Sequence, residues 1–244
     1  MLLKEFSSVG SEIYVDNLTT SGSLGGFATM KTTSETRSSC VLLSKHVAAA
    51  GKGKEGRDGK LVAKEGDRLL GYVIQDTVKE RGYDIAAERL DVDITTCDTV
   101  LKNSKGKTMK GSSKGKETLK GSLRGRKVHL WGAKSKPGKG VVTIPYYIME
   151  GMDEHYIQVE NLHGEHKRFA EPGDSVAIAC ADDPFQASVY PVSMNMGILN
   201  HKEIEEDNKR DIKTKRGKYL TAPLSAGLEQ LGTRTGCTFD LTTE

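Results

Sequence analysis

The strongest constraint on this chain is the rhythm of its short β-branched and aromatic runs. Glu12–Val15, Gly26–Met30, Cys40–Leu43, Leu69–Val73, Val128–Trp131, Val141–Tyr147, Tyr156–Val159, Ser175–Cys180 and Ala187–Val192 are each of strand length, and Gly, Pro, Asp and Asn separate them. Such runs at intervals of about 8–12 residues predict an all-β sandwich or barrel. Helical signals are few. Val78–Arg89 has room for a turn or two, and Leu220, Leu224, Leu228 and Leu231 place four leucines on one face near the C-terminus. Pro223 is acceptable in the first turn of that helix. At 244 residues, an all-β chain divides better into two barrels than it closes into one.

Composition narrows the class. Apolar residues make up 36% of the chain and charged residues 28%, as in a soluble globular protein. No apolar run approaches the ~20 residues of a spanning helix. The opening MLLKEFSSVGSEIYVD lacks the basic start, apolar stretch and cleavage site of a signal peptide, which predicts a cytoplasmic protein. Cys40, Cys97, Cys180 and Cys237 are scattered with no C-x-x-C pair, so four reduced thiols are expected. The net charge of +3 is too small to imply a polyanionic partner. Two segments interrupt the strands. Gly51–Lys60 is rich in glycine and charge and reads as an exposed loop. Asn103–Lys127 holds nine Lys and Arg residues against the single acid Glu117, and has too little apolar surface to offset its ordering entropy. It reads as a mobile basic linker between two lobes, and lacks the aromatic residues that single-strand binders use for stacking. His201–Lys218 reads as a solvated insertion.

Three separated pieces carry chemistry. Val41–Ala48 is an apolar strand ending in Ser44-Lys45-His46; Tyr83–Leu90 begins with Asp84 ahead of an apolar segment; Glu171–Ile178 places Ser175 after a Gly-Asp turn. A serine hydroxyl is a poor nucleophile until a base takes its proton, and neutral imidazole suits that task near neutral pH. A carboxylate on the other ring nitrogen fixes the tautomer and stabilises the imidazolium. A glycine before the serine lets main-chain N–H groups turn toward a developing oxyanion, worth about 3–4 kcal/mol per donor. His46 is thus the candidate base, Asp84 its orienter and Ser175 the nucleophile, with the N–H groups of Gly173 and Ser175 as oxyanion hole.

These pieces resemble the trypsin-like (chymotrypsin-fold) serine peptidases. LLSKHVA resembles the family's histidine motif, YDIAAERL its D-I-A-L segment, and PGDSVA its G-D-S-G-G motif. Val192-Ser193-Met194-Asn195 is similar to the V-S-W-G strand, Gly217-Lys218-Tyr219-Leu220 to the G-V-Y-T strand, and Leu130-Trp131-Gly132 more weakly to G-W-G. The matches keep the family's order from about Gly25 to Leu231. The resemblance implies two packed six-stranded antiparallel β-barrels with a short C-terminal helix. The barrels would occupy residues 1–103 and 128–231, with a linker over 104–127 and a tail over 232–244. It also implies that Ser193 backs the triad aspartate, that Phe169 floors the primary pocket, and that Asn195 and Gly217 lie on its walls. An aromatic floor and an amide wall favour a small or medium apolar side chain before the scissile bond over Lys or Arg.

The implied activity is that of a serine endopeptidase with no metal or organic cofactor, acting on a protein or peptide. Further domains of a longer polypeptide are the other partners this allows; neither a specific nucleic acid nor a membrane is expected. One departure stands out. Val176 occupies the place where the family has glycine, adding β-branched bulk beside the oxyanion turn. The alternative is therefore a weakened or inactive pseudopeptidase that serves as a binding module. A basic scaffold holding an anionic partner through Asn103–Lys127 is a third possibility. No activation site is evident whose new amine would pair with Asp174. His129, His155, His163, His166 and His201 lack metal-ligand spacing, and no stretch matches the phosphate-loop pattern.

Overall fold

A computed structural model of the chain describes residues 8–15, 20–50, 60–63, 69–79, 81–111, 123–163, 168–185, 187–199 and 217–243. The expected loop over 51–59, His166, His201 and most of the 201–218 insertion lie outside these residues.

The first lobe contains β1 (Glu12–Val15), β2 (Thr20–Ser23), β3 (Gly26–Lys31), β4 (Arg37–Leu43), β5 (Lys60–Ala63), β6 (Leu69–Val73) and β7 (Ala86–Leu90), with a short helix, α1 (Lys45–Ala50), directly after β4. The second contains β8 (Leu101–Lys102), β9 (Thr108–Gly111), β10 (Lys127–Leu130), β11 (Gly138–Ile148), β12 (His155–Asn161), β13 (Ile178–Asp182), β14 (Ser188–Leu199) and β15 (Lys218–Pro223). Helix α2 (Leu224–Thr235) follows, and the chain ends in β16 (Thr238–Thr242). The first sheet runs β16-β3-β4-β7-β6-β5-β1-β2, antiparallel throughout. In the second, β10–β15 close into a six-stranded antiparallel barrel through the β13–β14 pairing.

Inward alternation explains the strands. Every other residue of β11 is buried over its first half, and its second half leaves Ile144, Tyr146 and Ile148 exposed as the β11–β12 hairpin extends. Val128, Leu130, Val142, Ile157, Val159, Phe169 and Tyr219 fill the second barrel. Another apolar cluster joins Ile13, Phe27, Val41 and Leu43 of the first lobe to Ile178, Met194 and Ala222 of the second and to Leu224 and Leu231 of α2. The lobes therefore share one continuous core.

Several expectations need correction. Val78–Arg89 is not helical: a 3-10 turn covers Gln75–Val78, and Ala86–Leu90 is a strand buried between β4 and β6. A short apolar run does not tell a buried strand from a helix. The strand expected from Ser175 begins at Ile178, because Ser175 and Val176 lie in a turn. Residues 101–111 are fastened to the second lobe rather than loose. The His129 Nε2–H donates to the Lys102 carbonyl at 2.7 Å, the Trp131 indole N–H to the Asn103 carbonyl at 3.0 Å, and Ser104 Oγ to Asp182 at 2.5 Å, while β9 pairs parallel with β14. Residues 112–122 of that basic segment lie outside the described set. The stretch expected as a tail completes α2 and adds β16 to the first sheet. The expected architecture itself stands: two β-rich lobes with a C-terminal helix, the second lobe closed as a six-stranded barrel by hydrogen-bonded pairing among the described residues.

Candidate active site

His46 sits in the first turn of α1, just past the buried end of β4. Val47 and Ala48 on the same helix are buried, which turns the His46 side chain outward, 57% exposed. Asp84 lies in the loop before β7 and grips His46 twice. Its Oδ1 accepts the His46 main-chain N–H at 2.9 Å, and its Oδ2 lies 2.5 Å from ring Nδ1. With Nδ1–H given to the carboxylate, Nε2 of the neutral ring is left as a proton acceptor facing outward. The electrostatics agree. The hydrogen bond to Asp84 raises the His46 pKa above its usual value, against desolvation. Burial pushes the Asp84 carboxyl up, but its hydrogen bonds to His46 and the charges of His46 and Lys45 together hold it below the ordinary range.

Ser175 sits in a turn built on Asp174. The Asp174 carboxylate is fully buried and accepts main-chain N–H groups from Lys134 (2.8 Å), Ser135 (3.3 Å) and Glu171 (2.8 Å). Three main-chain amides thus satisfy it, and among the described residues no ammonium group pairs with it. Gly173 has a φ of +99°. Among the described residues, no acceptor takes the N–H of Gly173 or of Ser175. Val176, fully buried, has a φ of +64°, a conformation that β-branched residues rarely adopt. It is held there from both sides. Its N–H donates to the Asn195 carbonyl at 2.7 Å, and the Asn195 side-chain amide donates to the Asp174 carbonyl at 3.0 Å.

One stretch of the first lobe touches both halves. A Cβ on Gly22 would lie 3.0 Å from the Val47 side chain of α1, so α1 rests on that glycine. A Cβ on Gly25 would meet the Val176 carbonyl at 2.5 Å, so only glycine permits the serine turn to approach so closely. Between them, buried Ser23 donates to the Gly173 carbonyl at 2.8 Å and accepts the Ala133 N–H at 2.9 Å. Sequence reasoning missed Ser23. Its partners are main-chain atoms far away in sequence, and Thr-Ser-Gly-Ser carries no local signal.

The other named residues are placed as follows. The Phe169 ring is fully buried in the second barrel, packed edge-on against Tyr219 with centroids 5.4 Å apart. Ser193 is buried on β14, and its hydroxyl makes no hydrogen bond among the described residues, so it does not back Asp84. Asn195 braces the serine turn. Gly217 precedes β15, where its carbonyl accepts the Asn161 N–H at 3.3 Å. Among the described residues, no cluster of three His, Cys, Asp or Glu side chains could hold a metal ion, none of the four cysteines is in a disulfide, and no helix is long and apolar enough to cross a membrane.

No protein-family model and no curated protein matches the chain. Solved structures do. A glutamic acid-specific serine protease, described as using a histidine triad in substrate binding, superposes with a TM-score of 0.55 at 14% identity, over 96% of this chain and 100% of its own. A Nocardiopsis protease gives 0.54 at 12% identity, over 96% and 99%. Chymotrypsin from Cellulomonas bogoriensis gives 0.51 at 13% identity, over 96% and 100%. Likeness at such identities establishes a shared fold.

Proposed function

We propose that this chain, which has the chymotrypsin-like serine protease fold, hydrolyses peptide bonds through His46, Asp84 and Ser175. The observation that carries this is the double grip of Asp84 on His46, which orients the imidazole from its main chain and its ring at once. Ser175 Oγ attacks the scissile carbonyl as His46 Nε2 takes its proton, and Asp84 stabilises the resulting imidazolium. The N–H groups of Gly173 and Ser175 receive the oxyanion. Collapse of the tetrahedral intermediate breaks the C–N bond, and the amine leaves with the proton from His46. Water, deprotonated by His46, then releases the acyl group and restores Ser175.

Substrates in this proposal are proteins or peptides. A small or medium apolar side chain before the scissile bond is proposed from the family resemblance alone, since Phe169, Ser193 and Asn195 are all buried. A cytoplasmic setting is proposed with it, supported by four cysteines outside any disulfide. The test is incubation with a peptide library and identification of the products by mass spectrometry. Cleavage by the wild type and none by Ser175→Ala is expected; equal products from both would reject the assignment.

The conformation of Val176 favours a second reading. A buried valine in the left-handed region stores strain beside the oxyanion turn, as a fold kept for binding with weakened chemistry would tolerate. Intact folding with no cleavage of any peptide would select it.

A further inference from the structure

Helix α2 reaches from the second lobe to the loop that carries Asp84, and two side chains on one face of the helix close on that loop. The Arg234 guanidinium donates through Nη1 to the carbonyls of Thr77 (3.0 Å) and Ile85 (3.2 Å), and through Nη2 to that of Arg81 (2.7 Å). Nη2 also donates to Gln230 Oε1 at 2.8 Å, and the same Oε1 accepts the Tyr83 N–H at 2.8 Å. Asp84 therefore lies between two held peptide groups, the Tyr83 N–H before it and the Ile85 carbonyl after it. The loop is shaped to admit this contact. Gly82 has a φ of +119°, and a Cβ there would meet the Gln230 amide group at 2.1–2.5 Å. On the far side, the Tyr83 hydroxyl donates to the His155 carbonyl of β12 at 2.7 Å.

Both ends of α2 are tied. It follows β15 of the second sheet without a loop, and beyond the left-handed Gly236 the chain enters β16, paired with β3 of the first sheet. A planar fork with fixed donor directions can hold three carbonyls at once, which a lysine ammonium on a flexible stem does not.

We infer that Arg234 and Gln230 are positioning residues, a clasp by which the C-terminal helix holds the Asp84 carboxylate against His46; this rests on the triad proposed above. The charged and titratable groups around the pair are Lys45 on α1, Arg234 on α2, Glu154 between β11 and β12, and the hydroxyls of Tyr83 and Tyr156. Arg234 is itself a cation near Lys45, and removing a cation from the neighbourhood of an imidazole by itself raises the imidazole's pKa. Losing the alignment of Asp84 would lower it. Arg234→Lys separates the two effects, because it keeps the charge and removes the fork.

The test follows the ring protons of His46 by NMR titration, and the rate of fluorophosphonate labelling of Ser175, in the full chain. In Arg234→Lys and in Gln230→Ala the His46 midpoint should fall toward about 6.5, and labelling should slow about 10²-fold, the cost of ångström-scale misplacement. Gln230→Glu keeps the acceptor oxygen and should retain the wild-type labelling rate, with a midpoint that does not fall, because the added negative charge can only favour the imidazolium. Melting curves identify any variant that fails to fold, and the remaining one of the pair carries the result. Folded Arg234→Lys or Gln230→Ala protein with a wild-type midpoint and rate would overturn the clasp. Failure of the triad itself has a different signature, absence of labelling in the wild type, and the His46 titration still reads the clasp in that case.

Discussion

Val176 holds the backbone conformation that glycine adopts without cost, and a β-branched residue pays about 1–2 kcal/mol to hold it. Its side chain is also fully buried in the core shared by the lobes, so burial offsets the strain. At an ordinary position alanine is more stable than glycine; here the order should reverse. Urea denaturation should find Val176→Gly more stable than Val176→Ala by about 1 kcal/mol, and the opposite order would show that the turn carries no strain. His46 makes a second prediction at this scale. Labelling needs its neutral form, and the hydrogen bond to Asp84 raises its pKa, so the rate should climb with pH through a midpoint above about 6.5. Asp84→Asn should bring the midpoint down and cut the plateau about 10⁴-fold. The stability linked to this pair has its own window. The Asp84 contribution disappears as pH falls through its lowered pKa, and the His46 contribution as pH rises through its raised one. The destabilisation by Asp84→Ala should therefore be greatest between about pH 4 and 6.5, and shrink above. The proposed triad of His46, Asp84 and Ser175 is read from the sequence because each stands in a short motif and the three keep a recognised order. Ser23, Gln230 and Arg234 were not, because they bond main-chain atoms of distant segments, and any residue type can supply a carbonyl or an N–H.

At the level of elements, the runs with clear alternation became strands almost where the sequence placed them, and Glu12–Val15 and Leu69–Val73 did so residue for residue. The misplaced ones differ in what they show. Ala86–Leu90 is buried at four of its five positions, so its apolar run is equally compatible with a helix. Thr238–Thr242 alternates as Thr-Phe-Asp-Leu-Thr, a strand signal obscured because the segment is short and terminal, and its partner β3 is a tertiary fact. That strand nonetheless contributes to the core through Phe239. Phe239→Ala should lower unfolding free energy by about 3 kcal/mol, the usual cost of emptying a buried aromatic site. A loss below about 1 kcal/mol would mean that β16 merely rests on the sheet edge. The basic segment shows the same lesson from the other side. Its composition predicts a loose linker, yet residues 101–107 are held by His129, Trp131 and Asp182, three side chains of the second lobe.

Across the whole molecule, the proposed triad is split between the two lobes. His46 and Asp84 come from the first lobe and Ser175 from the second, and three features hold the lobes in register. The shared apolar core is continuous between them, the Gly22–Gly25 stretch contacts both α1 and the serine turn, and α2 with β16 ties the second sheet back to the first. Two-lobed architecture was legible from strand rhythm and length, but the wrapping of the C-terminus was not, because nothing local in residues 232–244 names β3 as a partner. Activation of Ser175 by this alignment is read by intact-mass analysis after fluorophosphonate treatment. A single adduct is expected on the wild-type chain, absent from both His46→Ala and Ser175→Ala. No adduct on folded wild-type protein, or one that persists in Ser175→Ala, would contradict that activation.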